Sequence, residues 1–269
     1  YGNSFTQCQQ VNNGESWQEY LAAHIGEPIR NFGVGGYGVF QAYKRMLREE
    51  EYNHSAEYMI LNIWSDDHYR SIYKYRWLDF LEEGWMRVRA ATTEPETLPF
   101  ANNPWTHLRM DTRTGEFLEQ ENPYPTPESL YLLCEPDHVY EAFKGDFECQ
   151  AIMAKQFVDD VDIEIIVDVA ETLGVNPDTG TPEAIAATAS EALRLCALRS
   201  TMYVIDRTRE FASDEGKNLL LLLSYSSRDV IRACEGRSRF DREFVDYLES
   251  ETIPFIDGLN SHVDEYQTF

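Results

Sequence analysis

Three short stretches of the chain hold residue types that could do chemistry. The first is Gly2-Asn3-Ser4-Phe5-Thr6. A serine set between the end of a strand and the start of a helix can turn its hydroxyl out at the carboxyl edge of a parallel sheet. That is the edge where open α/β sheets hold ligands. The serine's own backbone N–H can then help to hold an oxyanion. As a bare tripeptide, G-N-S is first of all a turn signal. The second stretch is Asn31-Phe32-Gly33-Val34-Gly35-Gly36-Tyr37-Gly38. Gly33, Gly35 and Gly38 fit the G-x-G-x-x-G spacing of a dinucleotide-binding turn. Glycine there would equally let a backbone N–H face an oxyanion, or make a tight strand-to-helix turn. The third is Trp64-Ser65-Asp66-Asp67-His68. Two acids and a histidine could hold a metal, but neighbouring side chains diverge on a strand, and no metal is expected.

These stretches need elements to position them. Glu15 to Ile25 is helical in pattern, with Trp17, Tyr20, Leu21 and His24 at helix spacing. Pro28 to Val34 reads as a short strand, and Val39 to Glu51 as a helix with Phe40, Tyr43, Met46 and Leu47 on one face. Glu57 to Trp64 reads as a buried strand. Strand, glycine turn, helix and strand make a βαβ unit, which implies a parallel sheet with a right-handed crossover. From about 71 to 146 the rhythm breaks. That stretch is rich in Trp, Tyr and Pro, with a hairpin over Thr106 to Gln120 turning near Thr114-Gly115. It reads as a large insertion, either a lid or a surface elaboration. Helical patterns return from Cys149 to Leu173, and a further helix opens at Thr181-Pro182-Glu183 and runs to about Ala212. Asn218 to Tyr225 reads as a buried strand, Phe240 to Ser250 as a helix, and 253–257 as a last short strand.

At this spacing the three stretches resemble the blocks of the SGNH (GDSL-like) hydrolase family. That family has G-D-S after its first strand, N-x-G-x-x-G after the second and G-x-N-D after the third. Here the matching residues are Gly2-Asn3-Ser4, then Asn31, Gly33 and Gly36, then Trp64-Ser65-Asp66-Asp67. The resemblance covers the first ~70 residues and, loosely, the later strand order. It implies a three-layer α/β/α fold with a mostly parallel, flavodoxin-like sheet, a single domain over 1–269 that carries the 71–146 insertion. A first strand would lie before residue 1. It implies Ser4 as nucleophile, and the N–H groups of Ser4 and Gly36 with the side chain of Asp66 as the oxyanion site. Asn3 stands where the family has Asp, and Asp66 where it has an oxyanion-binding Asn. An ionised carboxylate at 66 would repel the developing charge, so Asp66 would have to be protonated, or Asn62, Ser65 or His68 would take its place. The family's base is a histidine in a D-x-x-H block after the last strand. None of His24, His54, His68, His107, His138 and His262 lies in such a block. Only His262 follows the last expected strand, five residues after Asp257, and no closing helix is expected before Phe269. The expectation is therefore a His–Asp pair beyond residue 269, with His262 and Asp257 as the alternative within the chain.

Composition narrows the function classes. The formal net charge is −24, from 47 acids and 23 bases, which disfavours a nucleic-acid partner. No apolar run approaches the ~20 residues of a membrane span, and no signal peptide is visible. The five cysteines are widely spaced without a C-x-x-C pair, so a zinc ribbon is excluded while one or two disulfides stay open. The functional expectation is a cofactor-independent serine hydrolase acting on a small-molecule or carbohydrate ester through an acyl-enzyme. The alternative is a catalytically degenerate SGNH-like binding or structural protein. A dinucleotide site ranks behind both, because Asp66 falls 28 residues after Gly38, beyond the usual distance of the ribose-binding acid.

Overall fold

The computed structural model describes residues 1–52, 56–75 and 104–268. The chain divides into two compact units, one built from Tyr1–Ser71 with Thr201–Phe269 and the other from Ile72–Ser200. The second unit takes in nearly all of the 71–146 segment and continues beyond it.

The first unit is mixed α/β around a small parallel sheet. Its strands are β1 (Tyr58–Trp64), β4 (Asn218–Ser224) and β5 (Phe255–Asp257), in the order β1-β4-β5. β1 and β4 run in register from Tyr58 opposite Asn218 to Trp64 opposite Ser224, and Leu221 to Leu223 pair with Phe255 to Asp257. Met59, Leu61, Ile63, Leu221 and Leu223 are buried. A parallel sheet covered by helices needs such apolar runs, and the leucines of 219–223 supply one. Tyr1 and Gly2 extend the sheet on the far side of β1. The Tyr1 amino group donates to the Ile60 carbonyl at 2.8 Å, and the Asn62 N–H donates to the Tyr1 carbonyl at 2.9 Å.

The strand expected over 28–34 is not formed as such. Only Gly33 bridges, in parallel to Gly2, and the Val34 N–H donates to the Gly2 carbonyl at 3.0 Å. Side chains hold the segment instead: Phe32 stacks on Tyr1 at 5.1 Å, and the Arg45 guanidinium lies 5.7 Å over the Phe32 ring.

The helices of this unit follow their apolar faces. α1 (Ser4–Gln7) is a single turn, and α2 (Trp17–Ile25) ends on Gly26 at φ +76°. α3 (Val39–Glu50) buries Val39, Phe40, Ala42, Tyr43 and Met46, a stripe at helical spacing. α4 (Asp67–Arg70) is again one turn. The helix Arg242–Ser250 buries Phe244, Val245 and Leu248. A helix over Gly258–Thr268 follows β5 directly, contrary to the expectation that none closes the chain. Asp257 starts it: its Oδ1 accepts from the Leu259 N–H at 3.1 Å, and Leu259 is buried.

The second unit is helical with one hairpin. β2 (His107–Met110) and β3 (Phe117–Gln120) pair antiparallel, and the turn closes where Gly115, at φ +74°, donates to the Asp111 carbonyl at 2.7 Å. The helical pattern expected over 149–173 is two helices, Phe147–Lys155 and Ile163–Thr172, separated where Phe157 takes φ +56°. The long helix Pro182–Asp214 starts in this unit and ends in the first; Thr181 caps its start, with Oγ1 accepting from the Ala184 N–H at 3.2 Å. All five cysteines are free thiols. Among the described residues no helix is long and apolar enough to cross a membrane.

Candidate active site

Ser4 opens α1 at the carboxyl end of the Tyr1–Gly2 extension, with Asn3 as the cap. The Asn3 Oδ1 accepts from the Phe5 N–H at 2.8 Å, and its Nδ2 donates to both oxygens of Asp67, at 2.8 and 3.0 Å. Asn3 and Asp67 are each 1% exposed. The amide is the residue this place requires, since it must accept from a backbone N–H and donate to a buried carboxylate at once. An aspartate cannot do both without a proton. Asp67 also accepts from the Trp64 N–H at 2.9 Å and from Arg70 Nη1 at 2.8 Å. Burial pushes its carboxyl above the ordinary carboxylate range, and Arg70, the Trp64 N–H and Asn3 act against that.

Polar ties fix α1 over the sheet. The Thr6 carbonyl accepts from Gln18 Nε2 at 2.7 Å and from Asn31 Nδ2 at 2.8 Å. Thr6 Oγ1 accepts from Asn62 Nδ2 at 3.1 Å, and Asn62 Oδ1 accepts from Ser224 Oγ at 2.7 Å. A chain of side-chain hydrogen bonds thus runs from α1 through β1 to β4.

The glycine loop lies against this turn. A Cβ on Gly33 would sit 2.7 Å from the Thr6 carbonyl carbon, and one on Gly35 would sit 4.0 Å from Ser4 Cβ. The Tyr37 N–H donates to the Val34 carbonyl at 3.2 Å, and Gly36 takes φ +84°, the third position of a type II turn. The Gly35 N–H is engaged by Gln7 Oε1 at 2.7 Å. By contrast, neither the Gly36 N–H, the Ser4 N–H nor the Ser4 hydroxyl has a hydrogen-bond partner among the described residues. A Cβ on Gly38 would meet the Asp67 carbonyl oxygen at 2.8 Å. The N-terminus of α3 is filled by the protein itself. The Gly38 N–H donates to Gln41 Oε1 at 3.0 Å, and the Phe40 N–H to Ser71 Oγ at 3.1 Å. Packing therefore accounts for the G-x-G-x-x-G spacing, and the Gly38 and Phe40 donors that a pyrophosphate would use at the start of α3 are engaged.

The end of β1 sends its side chains to different partners. Asp66 pairs with Arg70 through Oδ2, while its Oδ1 is buried without a hydrogen-bond partner among the described residues. Ser65 donates to Asp229 Oδ2 at 2.6 Å. His68 is 3% exposed, shares a hydrogen bond of 2.9 Å with Thr201 Oγ1, and lies edge-on to Phe244 at 5.1 Å. Burial pushes its imidazole down to about 4, so it is neutral at physiological pH. No three metal-binding side chains converge among the described residues. Trp64 stacks on Phe5, with ring centroids 3.7 Å apart and planes 12° from parallel.

At the carboxyl end of β5, Asp257 belongs to a charged cluster. Arg239 Nη1 donates to Asp257 Oδ2 at 2.7 Å and Arg239 Nε to Asp241 Oδ1 at 2.8 Å. The Tyr225 hydroxyl donates to Asp241 Oδ2 at 2.8 Å. Arg239 is the main influence holding the Asp241 carboxyl below its ordinary value, against burial. Asn260 Nδ2 lies 3.4 Å from Asp257 Oδ2, and His262 is exposed on the helix that follows. His24 is exposed on α2, and His54 lies outside the described residues. In the second unit His107 donates to the Trp105 carbonyl at 3.2 Å, and His138 bonds the Tyr124 hydroxyl at 2.9 Å.

The structure thus brings Ser4, the glycine loop and the end of β1 together at one edge, while Asp257 is engaged by Arg239. The roles of Asp67 and Arg70 and the Phe5–Trp64 stack were missed from sequence. Arg70, three residues after Asp67 and four after Asp66, was the readable signal. Comparison with protein-family models, curated proteins and solved structures finds no match to this chain.

Proposed function

We propose that this chain carries the nucleophile of a serine ester hydrolase of the SGNH type, within a three-layer α/β/α domain. The observation that carries the reading is the group at the sheet edge: a serine hydroxyl and two backbone N–H groups, of Ser4 and Gly36, none with a hydrogen-bond partner among the described residues. Backbone N–H groups away from water are nearly always paired, so two such donors close to a serine hydroxyl suit the oxygen of a bound acyl group. Strand order supports the same reading. The three strands run β1, β4, β5, and with the single Gly2–Gly33 bridge beyond β1 this is compatible with the 2-1-3-4-5 order of flavodoxin-like sheets, in which Ser4 would lie at the switch point.

In this mechanism Ser4 Oγ attacks the acyl carbon as its proton passes to a base. The carbonyl oxygen, now an oxyanion, accepts from the Ser4 and Gly36 N–H groups. The alcohol leaves with a proton, and water then cleaves the acyl-Ser4 ester. Asp66, ion-paired with Arg70, donates nothing to the oxyanion, so two backbone donors hold it. A third donor in such a site is worth ~3–4 kcal/mol of barrier, which makes this a slow hydrolase. Within the chain the candidate base is His262, exposed on the helix that follows β5. His68 is excluded from that role by its burial and its bond to Thr201.

A non-catalytic binding protein is the second reading, and the engagement of Asp257 by Arg239 favours it. Hydrolysis of a short acyl ester by the intact protein, lost in Ser4→Ala, separates the two. Full activity in Ser4→Ala rules out the first reading, and detection of an acyl-Ser4 intermediate rules out the second.

A further inference from the structure

Phe5 follows Ser4 directly, and Trp64 directly precedes Ser65-Asp66 at the carboxyl end of β1. Their rings lie almost parallel, 3.7 Å apart at the centroids, so Trp64 backs Phe5 and fixes its plane. Phe5 nevertheless remains 44% exposed. A scattered exposed apolar side chain needs no explanation. A flat ring held in place by a second ring, one residue from the nucleophile and on the ligand-binding edge of the sheet, is a different object.

We propose that the Phe5–Trp64 stack is the platform on which the alcohol part of the substrate lies, and that this part is a neutral sugar ring. The inference rests on Ser4 being the nucleophile. An aromatic face carries negative potential, which suits the C–H face of a pyranose while the hydroxyls at its rim stay in water. A long aliphatic group would instead need an enclosure that covers most of its surface, and one open ring face does not supply that. A ring carrying carboxylate, phosphate or sulfate is disfavoured by the net charge of −24. The platform sets specificity by holding the ring, and the bond-making groups are those of the Ser4 turn.

The test compares three esters on the intact protein: a mono-O-acetylated methyl glucopyranoside, phenyl acetate and ethyl acetate. Phe5→Ala is expected to lower kcat/KM for the sugar ester about tenfold, mainly through KM, and to lower that for ethyl acetate by much less. Phe5→Tyr, which keeps the flat ring, retains the sugar ester, whereas Phe5→Leu, which keeps the bulk without the ring, does not. An equal loss on ethyl acetate, no loss on the sugar ester, or a loss confined to phenyl acetate overturns the platform. Ethyl acetate hydrolysis that survives Ser4→Ala overturns the nucleophile instead, so the two failures are distinguishable. If the intact protein cleaves none of the three, both fall.

Discussion

Replacing Asn3 by Asp changes one atom type and nothing in shape, yet it should be among the most damaging substitutions in the first unit. Asn3 Nδ2 donates to both oxygens of Asp67 from 2.8 and 3.0 Å, and both residues are 1% exposed. With an aspartate at position 3, two carboxylates face each other at about 3 Å. If both were ionised, their repulsion would be roughly 5 kcal/mol at an effective dielectric near 20. The folded protein avoids this by keeping a proton between them, so the pair's folded-state pKa is raised above its unfolded value. Stability is then retained at low pH and lost as pH rises through the folded pKa, at about 1.4 kcal/mol per pH unit. Relative to the parent, Asn3→Asp should lose up to roughly 4 kcal/mol at about pH 8, and the loss should shrink towards about pH 5 by less than about 1.4 kcal/mol per pH unit, because Asp67 of the parent takes up a proton over the same range. Urea unfolding followed by tryptophan fluorescence at the two pH values measures both. A variant as stable as the parent at the higher pH, or a loss that does not depend on pH, would show that Asn3 is not the donor to an ionised Asp67.

Three further substitutions test the frame around the site. Gly33→Ala places a methyl 2.7 Å from the Thr6 carbonyl carbon, against backbone that cannot yield cheaply; a loss of about 2–3 kcal/mol is expected in the same urea assay, against less than about 0.5 kcal/mol for Gly14→Ala, where nothing lies nearby. His68 has its folded pKa pushed down from 6.5 to about 4, so no penalty exists above 6.5 and stability falls as pH drops below it, by up to about 3 kcal/mol near pH 4; in His68→Gln that part of the acid-induced loss should disappear from a pH-dependent melt. Arg239→Met removes the shared partner of Asp241 and Asp257 and should cost about 3–5 kcal/mol of stability by denaturant unfolding, most of it from the stranded carboxylates.

The regular elements of the first unit were legible where apolar pattern and length agree. The leucines of 219–223, the 57–64 run and the stripe on Val39 to Glu50 could bury their surface in only one way. The 28–34 segment misled because its residues suit a strand while, among the described residues, it bridges to the sheet at Gly33 alone, and pairing depends on what lies opposite. The helix over 258–268 was hidden by its low apolar content, and it exists because Asp257 caps it. At the site, the place of Ser4 between strand end and helix and the nearness of the glycine loop were readable from spacing. The pairing of Phe5 with Trp64, 59 residues apart, was not. Nor was the hub at Asp67, because a buried carboxylate is defined by donors that come from three separate segments.

The most direct test of the account is covalent labelling of the intact protein with a fluorophosphonate, followed by peptide mass spectrometry. The phosphonyl group imitates the tetrahedral intermediate and is trapped by an activated serine alone. The account predicts one stoichiometric adduct on Ser4, lost in Ser4→Ala. Labelling of a different serine, or none while the protein is folded, contradicts it.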